Sequence, residues 1–135
     1  MGYVERVQQI YAAFEKNNIP AILVHLDENV EWEYAIAPND VPWLQKRSGR
    51  NEVQKFFKSL SALEFHQFQP KTFLESGNVV VVLVDIDLTV KATSRRIVED
   101  DEVHIWHFNS DGQVIKFGHK LDTHQHWEAY RGGFI

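Results

Sequence analysis

The sequence predicts an α+β fold in which helices cover one face of an antiparallel sheet. Three observations carry this. Up to about residue 60, apolar residues recur at helical spacing. After Pro70 they recur at every second position. Asp111-Gly112 then sits between two runs rich in β-branched and aromatic residues. Helices first and a meander of long strands afterwards is an α+β order. Asp-Gly between such runs marks a hairpin, because Gly takes the positive φ that the turn needs.

The elements follow in order. Val4, Val7, Tyr11 and Phe14, with Ile10 beside them, form one helical stripe. Asn17-Asn18 ends that helix, and Pro20 suits the first turn of the next, over Pro20–Leu26. Asp27-Glu28-Asn29 is predicted as a turn and Val30–Tyr34 as a short strand. Residues 35–49, with Pro38, Pro42 and Gly49, read as a loop. Asn51 is the expected cap of a third helix whose apolar face includes Val53, Phe56, Phe57 and Leu60. Lys71–Glu75 is a strand, Ser76-Gly77-Asn78 a turn and Asn78–Ala92 a long strand. There Val84, Ile86, Leu88 and Val90 alternate with Asp85, Asp87, Thr89 and Lys91, so one face is dry and the other wet. The hairpin over 97–123 and a short tail helix complete the chain. The run Glu99-Asp100-Asp101-Glu102 reads as a solvated strand edge that discourages edge pairing.

With 135 residues the expectation is a single domain, 1–135, long enough to bury a core. The apolar share of 44% and charged share of 24% are those of a globular protein. A net charge of −5 offers no basic footprint for nucleic acid. The absence of Cys excludes a disulfide framework, a thiolate nucleophile and a Cys-containing metal site. No apolar run approaches the roughly 20 residues of a membrane-spanning helix, and the N-terminal stretch lacks the pattern of a secretory leader. Cytoplasm is therefore the expected compartment.

Candidate chemistry concentrates on the 97–123 hairpin. His104, Trp106 and Phe108 fall on one face of its first strand, and the hairpin ends in Asp122. One hairpin thus carries an imidazole, a carboxylate and an aromatic wall. His104, Trp106, Trp32, Tyr34 and Val84 are expected to line a single cavity, because the pleat sends alternate residues to the covered face.

Several pieces, in order, resemble one family. They are Ile10-Tyr11-Ala12-Ala13-Phe14, Ile19-Pro20-Ala21-Ile22, Leu26-Asp27-Glu28-Asn29-Val30-Glu31-Trp32, Gly49-Arg50-Asn51-Glu52-Val53 with Phe56-Phe57, Thr89-Val90-Lys91-Ala92-Thr93, Val103-His104-Ile105-Trp106 and Asp122-Thr123. Their order and spacing resemble the SnoaL-like family of the nuclear transport factor 2-like superfamily, relatives of ketosteroid isomerase and limonene epoxide hydrolase. The resemblance runs from about Val4 to Tyr130. It implies a strongly curved antiparallel sheet wrapped into a cone, a cystatin-like arrangement, with three N-terminal helices closing it over a deep apolar pocket. It also implies homodimers packed sheet on sheet.

In ketosteroid isomerase-like relatives a carboxylate after the first short strand is the base, and a helix Tyr and a sheet Asp form the oxyanion hole. The matching positions here hold Tyr34, Ile10 (with Tyr11 one step on) and His104, which argues against steroid-type isomerisation. In epoxide hydrolase-like relatives an Asp-Arg-Asp set activates water. Asp122 matches its last Asp, while Glu102 and His104 stand at the other places. SnoaL-like polyketide cyclases are most similar at Asp122, where the family's catalytic Asp lies near a His.

The implied catalytic set is His104, Asp122 and Tyr34, with Trp32, Trp106, Tyr11, Val84, Phe117 and His119 around the ligand. A carboxylate beside apolar walls becomes a better base, and an imidazole can donate to an enolate oxygen or act as base itself. The chemistry is proton transfer next to a carbonyl on a small apolar metabolite (isomerisation, cyclisation or dehydration, with water addition as a variant), and it needs no cofactor. Other readings stand beside these. His104 is equally read as a core histidine bonded to a buried carbonyl. Asp122 is equally read as the cap of the tail helix, since strict alternation puts Phe117, His119 and Leu121 on one face and Asp122 on the other. Seven His residues raise the question of a metal, but no metal site is expected: His104 and His107 point to opposite faces, and His119, His124 and His126 offer only an adventitious cluster. The alternative function is a non-catalytic domain that binds a hydrophobic ligand or another protein. A homodimer is expected through Val103, Ile105 and His107 on the outer sheet face.

Overall fold

A computed structural model of the protein describes residues 2–132. Helix α1 (Tyr3–Glu15) buries Val7, Ile10 and Tyr11, one turn apart on the predicted stripe. Helix α2 (Ile19–Leu23) follows, and its Asn18 cap accepts from the Ala21 N–H. Strand β1 (Leu26–Trp32) starts four residues earlier than the alternation suggests. Asp27-Glu28-Asn29 is an irregular stretch inside it, where the register with its neighbour shifts. The stretch read as a loop holds a 3-10 turn at Pro42–Leu44 and a two-residue strand β2 (Arg47–Ser48). Helix α3 (Arg50–Ser59) is capped by Gly49 and not by Asn51. Gly49 has φ 87°, a value a side chain would resist, and Asn51 lies already inside the helix.

Three long strands then form the meander: β3 (Leu63–Ser76), β4 (Val79–Val90) and β5 (Arg95–Phe108), followed by β6 (Val114–Lys120) and helix α4 (Thr123–Arg131). Strand β3 begins eight residues before Lys71 and contains Pro70. It can do so because it is the edge of the sheet and because the register shifts at Pro70/Thr72, which absorbs the missing N–H. The six strands form one curved sheet in the order β2-β1-β6-β5-β4-β3. All pairings are antiparallel except β1 with β6. That pair is parallel because both strands start beside the Asn109–Gly112 turn, where Val114 N–H donates to the His25 carbonyl.

The inner face carries the core. Every second residue of β4 from Val80 to Val90 is buried, under Val7, Ile10, Ile22, Val53 and Phe56 from the helices. Each such side chain contributes about 1.5–3 kcal/mol. Val103, Ile105 and His107 alternate outward and are half-buried.

Two departures from strict alternation shape the interior. In β5, Asp101 has φ 62° and the register shifts between Val84/Glu102 and Ile86/Glu99. Asp100 and Asp101 thus oppose the single Asp85, and this bulge turns both Glu99 and Glu102 inward, to 8% and 5% exposure. The acidic run is therefore no solvated edge: β5 lies between β4 and β6, and two of its four carboxylates are in the core. After β1, Glu33 has φ 54°, so Trp32 and Glu33 both point inward and Tyr34 is thrown to the outer face.

Candidate functional site

Between the helices and the inner sheet face lies a cavity of about 80 Å³. Its wall is aromatic and aliphatic, with Tyr11, Phe14, Trp32, Phe68, Trp106 and Phe117 prominent, and its inner end carries Glu102, His104, His119 and His126. Phe14, Phe57, Leu60, Phe65 and Phe68 line both the cavity and a surface groove of about 520 Å³, so the mouth lies between α1, the end of α3 and the start of β3. The cavity is about half the roughly 150 Å³ that takes benzene, and it shares five lining residues with the groove.

The inner end is a chain of hydrogen bonds whose directions can be worked out. The Trp106 indole can only donate, and it gives its hydrogen to the Tyr11 hydroxyl at 3.1 Å. The Tyr11 hydroxyl gives its own hydrogen to His104 Nδ1 at 2.7 Å, and His104 Nε2 donates to Glu102 Oε1 at 2.7 Å. Burial holds Tyr11 far above the ordinary phenol value, so it stays protonated. Burial also holds His104 below the usual histidine value, against the pull of Glu102.

A second pair faces the first. Glu33, 1% exposed, accepts from both the backbone N–H of His119 at 2.9 Å and its Nδ1 at 2.7 Å. Burial alone would push His119 down, but the charge and hydrogen bond of Glu33, then Glu102 and Glu99, outweigh it and lift His119 to about 9. His119 is therefore an imidazolium at neutral pH. Its Nε2 sits 3.8 Å from Glu102 Oε1, too far for a hydrogen bond. Burial pushes Glu102 up, but the His104 hydrogen bond and the charge of His119 bring it below the ordinary carboxylate range. An ionised acid and an ionised base thus face one another at the end of an apolar cavity.

A third pair braces the site. Trp43 donates to His126 Nδ1 at 2.9 Å, which leaves the ring hydrogen on Nε2, bonded to Glu99 Oε1 at 2.5 Å. Glu99 Oε2 accepts from Asp122 N–H at 2.8 Å, joining β5 to the start of α4.

The structure brings His104, His119, Trp32, Trp106, Tyr11 and Phe117 together around one cavity. It does not bring Asp122, Tyr34 or Val84 there. Asp122 is exposed and caps α4, accepting from Gln125 N–H at 3.1 Å, as alternation along β6 requires. Tyr34 lies on the outer face, where its hydroxyl and His107 Nε2 share a hydrogen bond of 3.1 Å. Val84 is fully buried in the core opposite Glu102 but contributes no cavity wall. Residues that sequence reasoning missed are Glu33, Glu99 and Glu102. Glu33 and Glu99 are displaced from the face that alternation predicts by one left-handed residue and one bulge, whereas Glu102 alternates with His104 and was hidden by its place in an acidic run.

Among the described residues, two sets have ligand atoms within 4.8 Å of one another: Glu102, His104 and His119, and Glu99, Glu102 and His126. In the first, His104 Nε2 already gives its hydrogen to Glu102. In the second, Trp43 fixes the ring hydrogen of His126 on the nitrogen that meets Glu99. His124 stands apart at the surface with Glu128, so the three C-terminal histidines share no site.

The family described as the SnoaL-like domain matches residues 7–117. No curated protein matches the chain. Solved structures share its fold. A nuclear transport factor 2-like protein of unknown function from Burkholderia pseudomallei superposes with a TM-score of 0.80 at 24% identity, over 96% of this chain and 98% of its own. TerC, co-crystallized with polyporic acid, gives 0.78 at 22% identity over 96% and 98%. A Mesorhizobium loti protein named as a candidate SnoaL-like polyketide cyclase gives 0.71 at 14% identity over 90% and 100%.

Proposed function

The chain belongs to the SnoaL-like domain family, and on that premise we propose that it binds a small apolar, carbonyl-bearing molecule and transfers a proton next to the carbonyl. The observation that carries this is the facing pair of Glu102 and His119, 3.8 Å apart with no hydrogen bond between them. Two titratable groups whose surroundings drive them apart are the mark of an acid and a base. Here His119 is the acid and Glu102 the base, and His104 with Tyr11 positions Glu102.

The steps follow from the geometry. The ligand carbonyl accepts from His119 Nε2, and the carbon beside it faces the Glu102 carboxylate. Once the carbonyl draws on the imidazolium, Glu102 loses part of the charge that lowered its pKa and becomes a stronger base in its apolar wall. It removes the proton from carbon while His119 stabilises the enolate oxygen. Return of the proton to another carbon is isomerisation. Where the neighbouring carbon carries a hydroxyl, the enolate pair forms the C=C bond as the C–O bond breaks, and the proton held by Glu102 passes to the departing oxygen, so that water leaves: this is dehydration.

The test uses small cyclic ketones in deuterated water. Exchange of the hydrogens next to the carbonyl, above background and dependent on Glu102, supports the reading. A ketone that binds and never exchanges supports the non-catalytic binding domain instead.

A further inference from the structure

Trp32 supplies a polar atom that the proton-transfer scheme leaves unused. Trp32 is 2% exposed and lines the cavity, yet its indole Nε1 has no hydrogen-bond partner among the described residues. The other two cavity tryptophans are satisfied: Trp106 by Tyr11, and Trp43 by His126. A buried donor left unpaired is destabilising, and folded proteins retain very few. Packing prevents this one from turning to find a partner. Its ring is stacked on Phe117 at 4.2 Å and tilted against Phe56 at 5.3 Å.

The place of Trp32 relates it to the acid–base pair. Trp32 is in register with Phe117 across β1 and β6, and Glu33, next in sequence, holds His119. The ring of Phe117 also meets that of His119, at 5.0 Å. The Trp32 indole and the His119 imidazolium ring therefore flank the same phenyl ring, and all three residues line one cavity.

We infer that Trp32 is a ligand-anchoring residue whose indole N–H takes a second acceptor oxygen, so that the ligand class is a compact molecule with two oxygen functions, such as a diketone or hydroxyketone. One oxygen meets His119 and the other meets Trp32. The inference rests on the proton-transfer reading for the first oxygen and adds the second. It also accounts for a donor-only group in this wall: an indole cannot accept, so it favours a carbonyl, ether or hydroxyl oxygen over an ammonium. A single hydrogen bond of this kind adds about 0.5–1.5 kcal/mol, so the effect on affinity is a few-fold.

The experiment compares 1,4-cyclohexanedione with cyclohexanone in a titration followed by the indole N–H resonances of the whole chain. The expected result has two parts. The dione binds at least about threefold tighter than cyclohexanone, and the Trp32 N–H proton resonance moves downfield with the dione. W32F keeps an aromatic ring but has no N–H, and it is expected to bind both compounds alike. The assignment is overturned if W32F retains the preference, or if the Trp32 resonance stays still while the other cavity resonances shift. Should W32F fail to fold, the wild-type Trp32 resonance, assigned through its proximity to Phe117, decides alone. Failure of both compounds to bind the wild-type chain removes the pocket reading and the assignment with it. Binding without a Trp32 response removes only the assignment.

Discussion

Glu102 and His119 lie 3.8 Å apart across the inner end of the cavity and share no hydrogen bond, although each bonds another partner. Both residues line the cavity, so a ligand lying across the pair can set its oxygen against His119 and the carbon beside it against Glu102. Replacing Glu102 by Gln keeps an acceptor for His104 Nε2 and removes the base. Ketone hydrogen exchange is expected to fall by about 10²–10⁴ while ligand affinity changes little. Loss of affinity with unchanged exchange per bound ligand would assign Glu102 to binding instead.

The same pair makes stability depend on pH in a definite sense. His119 is raised in the folded chain to about 9 from an ordinary 6.5. Its contribution is complete below pH 6.5 and is lost as the pH climbs through about 9. That contribution is on the order of 3 kcal/mol. Glu102 works at the other end: its folded value is depressed, so its contribution is present above the ordinary carboxylate value of 4.5 and disappears as the pH falls below it. Urea midpoints should therefore drop between about pH 6.5 and pH 9 in the wild type. In His119→Gln the drop should be nearly absent.

The broad fold was legible in the sequence for plain reasons. The stripe from Val7 to Tyr11, the alternation along β4 and the Asp111-Gly112 turn each follow one period or one turn chemistry. The cavity wall on β5 and β6 was legible for the same reason, since His104, Trp106, Phe117 and His119 obey alternation. Glu102 obeys it too, but the other two inward carboxylates do not. Glu99 and Glu102 are three apart, which no regular strand can place on one face; the bulge at Asp101 does it. Glu33 follows an inward Trp32, and only the left-handed backbone at Glu33 lets both turn inward. Tyr34 was misplaced by that same residue. The signal for Asp122 was present: alternation from Phe117 excluded it from the inner face, and its side chain is where a helix cap belongs.

Asp122 tests the cap directly. Asn supplies the same acceptor to Gln125 N–H, so Asp122→Asn should leave both exchange rate and stability nearly unchanged. Asp122→Ala should cost about 1 kcal/mol. Thermal or urea denaturation measures this. A large loss of exchange in the Asn variant with stability intact would return Asp122 to the chemistry.

The outer face supports a proposal of self-association. Val103, Ile105 and His107 are half-buried there, and Val98 on the same strand is 51% exposed. Apolar outer sheet faces are commonly covered by a second copy. Light scattering at micromolar concentration should give twice the chain mass, and Ile105→Lys should give the single mass. A monomeric wild type would exclude this face as the contact.

Glu33 separates positioning from chemistry. It touches His119 twice and lies outside the set of residues that line the cavity. Its charge is the strongest of the effects that raise His119. Glu33→Gln keeps an oxygen for one of the two N–H groups and removes that charge. The His119 ring therefore stays near its place but gives up its proton at lower pH. If His119 is the acid, the alkaline limb of the exchange profile must move to lower pH, by about one unit or more, while the rate on the plateau changes less. A structural role alone would lower the plateau or the melting temperature and leave the limb where it was. The two outcomes differ in the shape of one pH profile, and a parallel urea series shows whether stability lost its alkaline drop at the same pH. If the limb stays while the stability curve moves, His119 is charged as described and is not the acid.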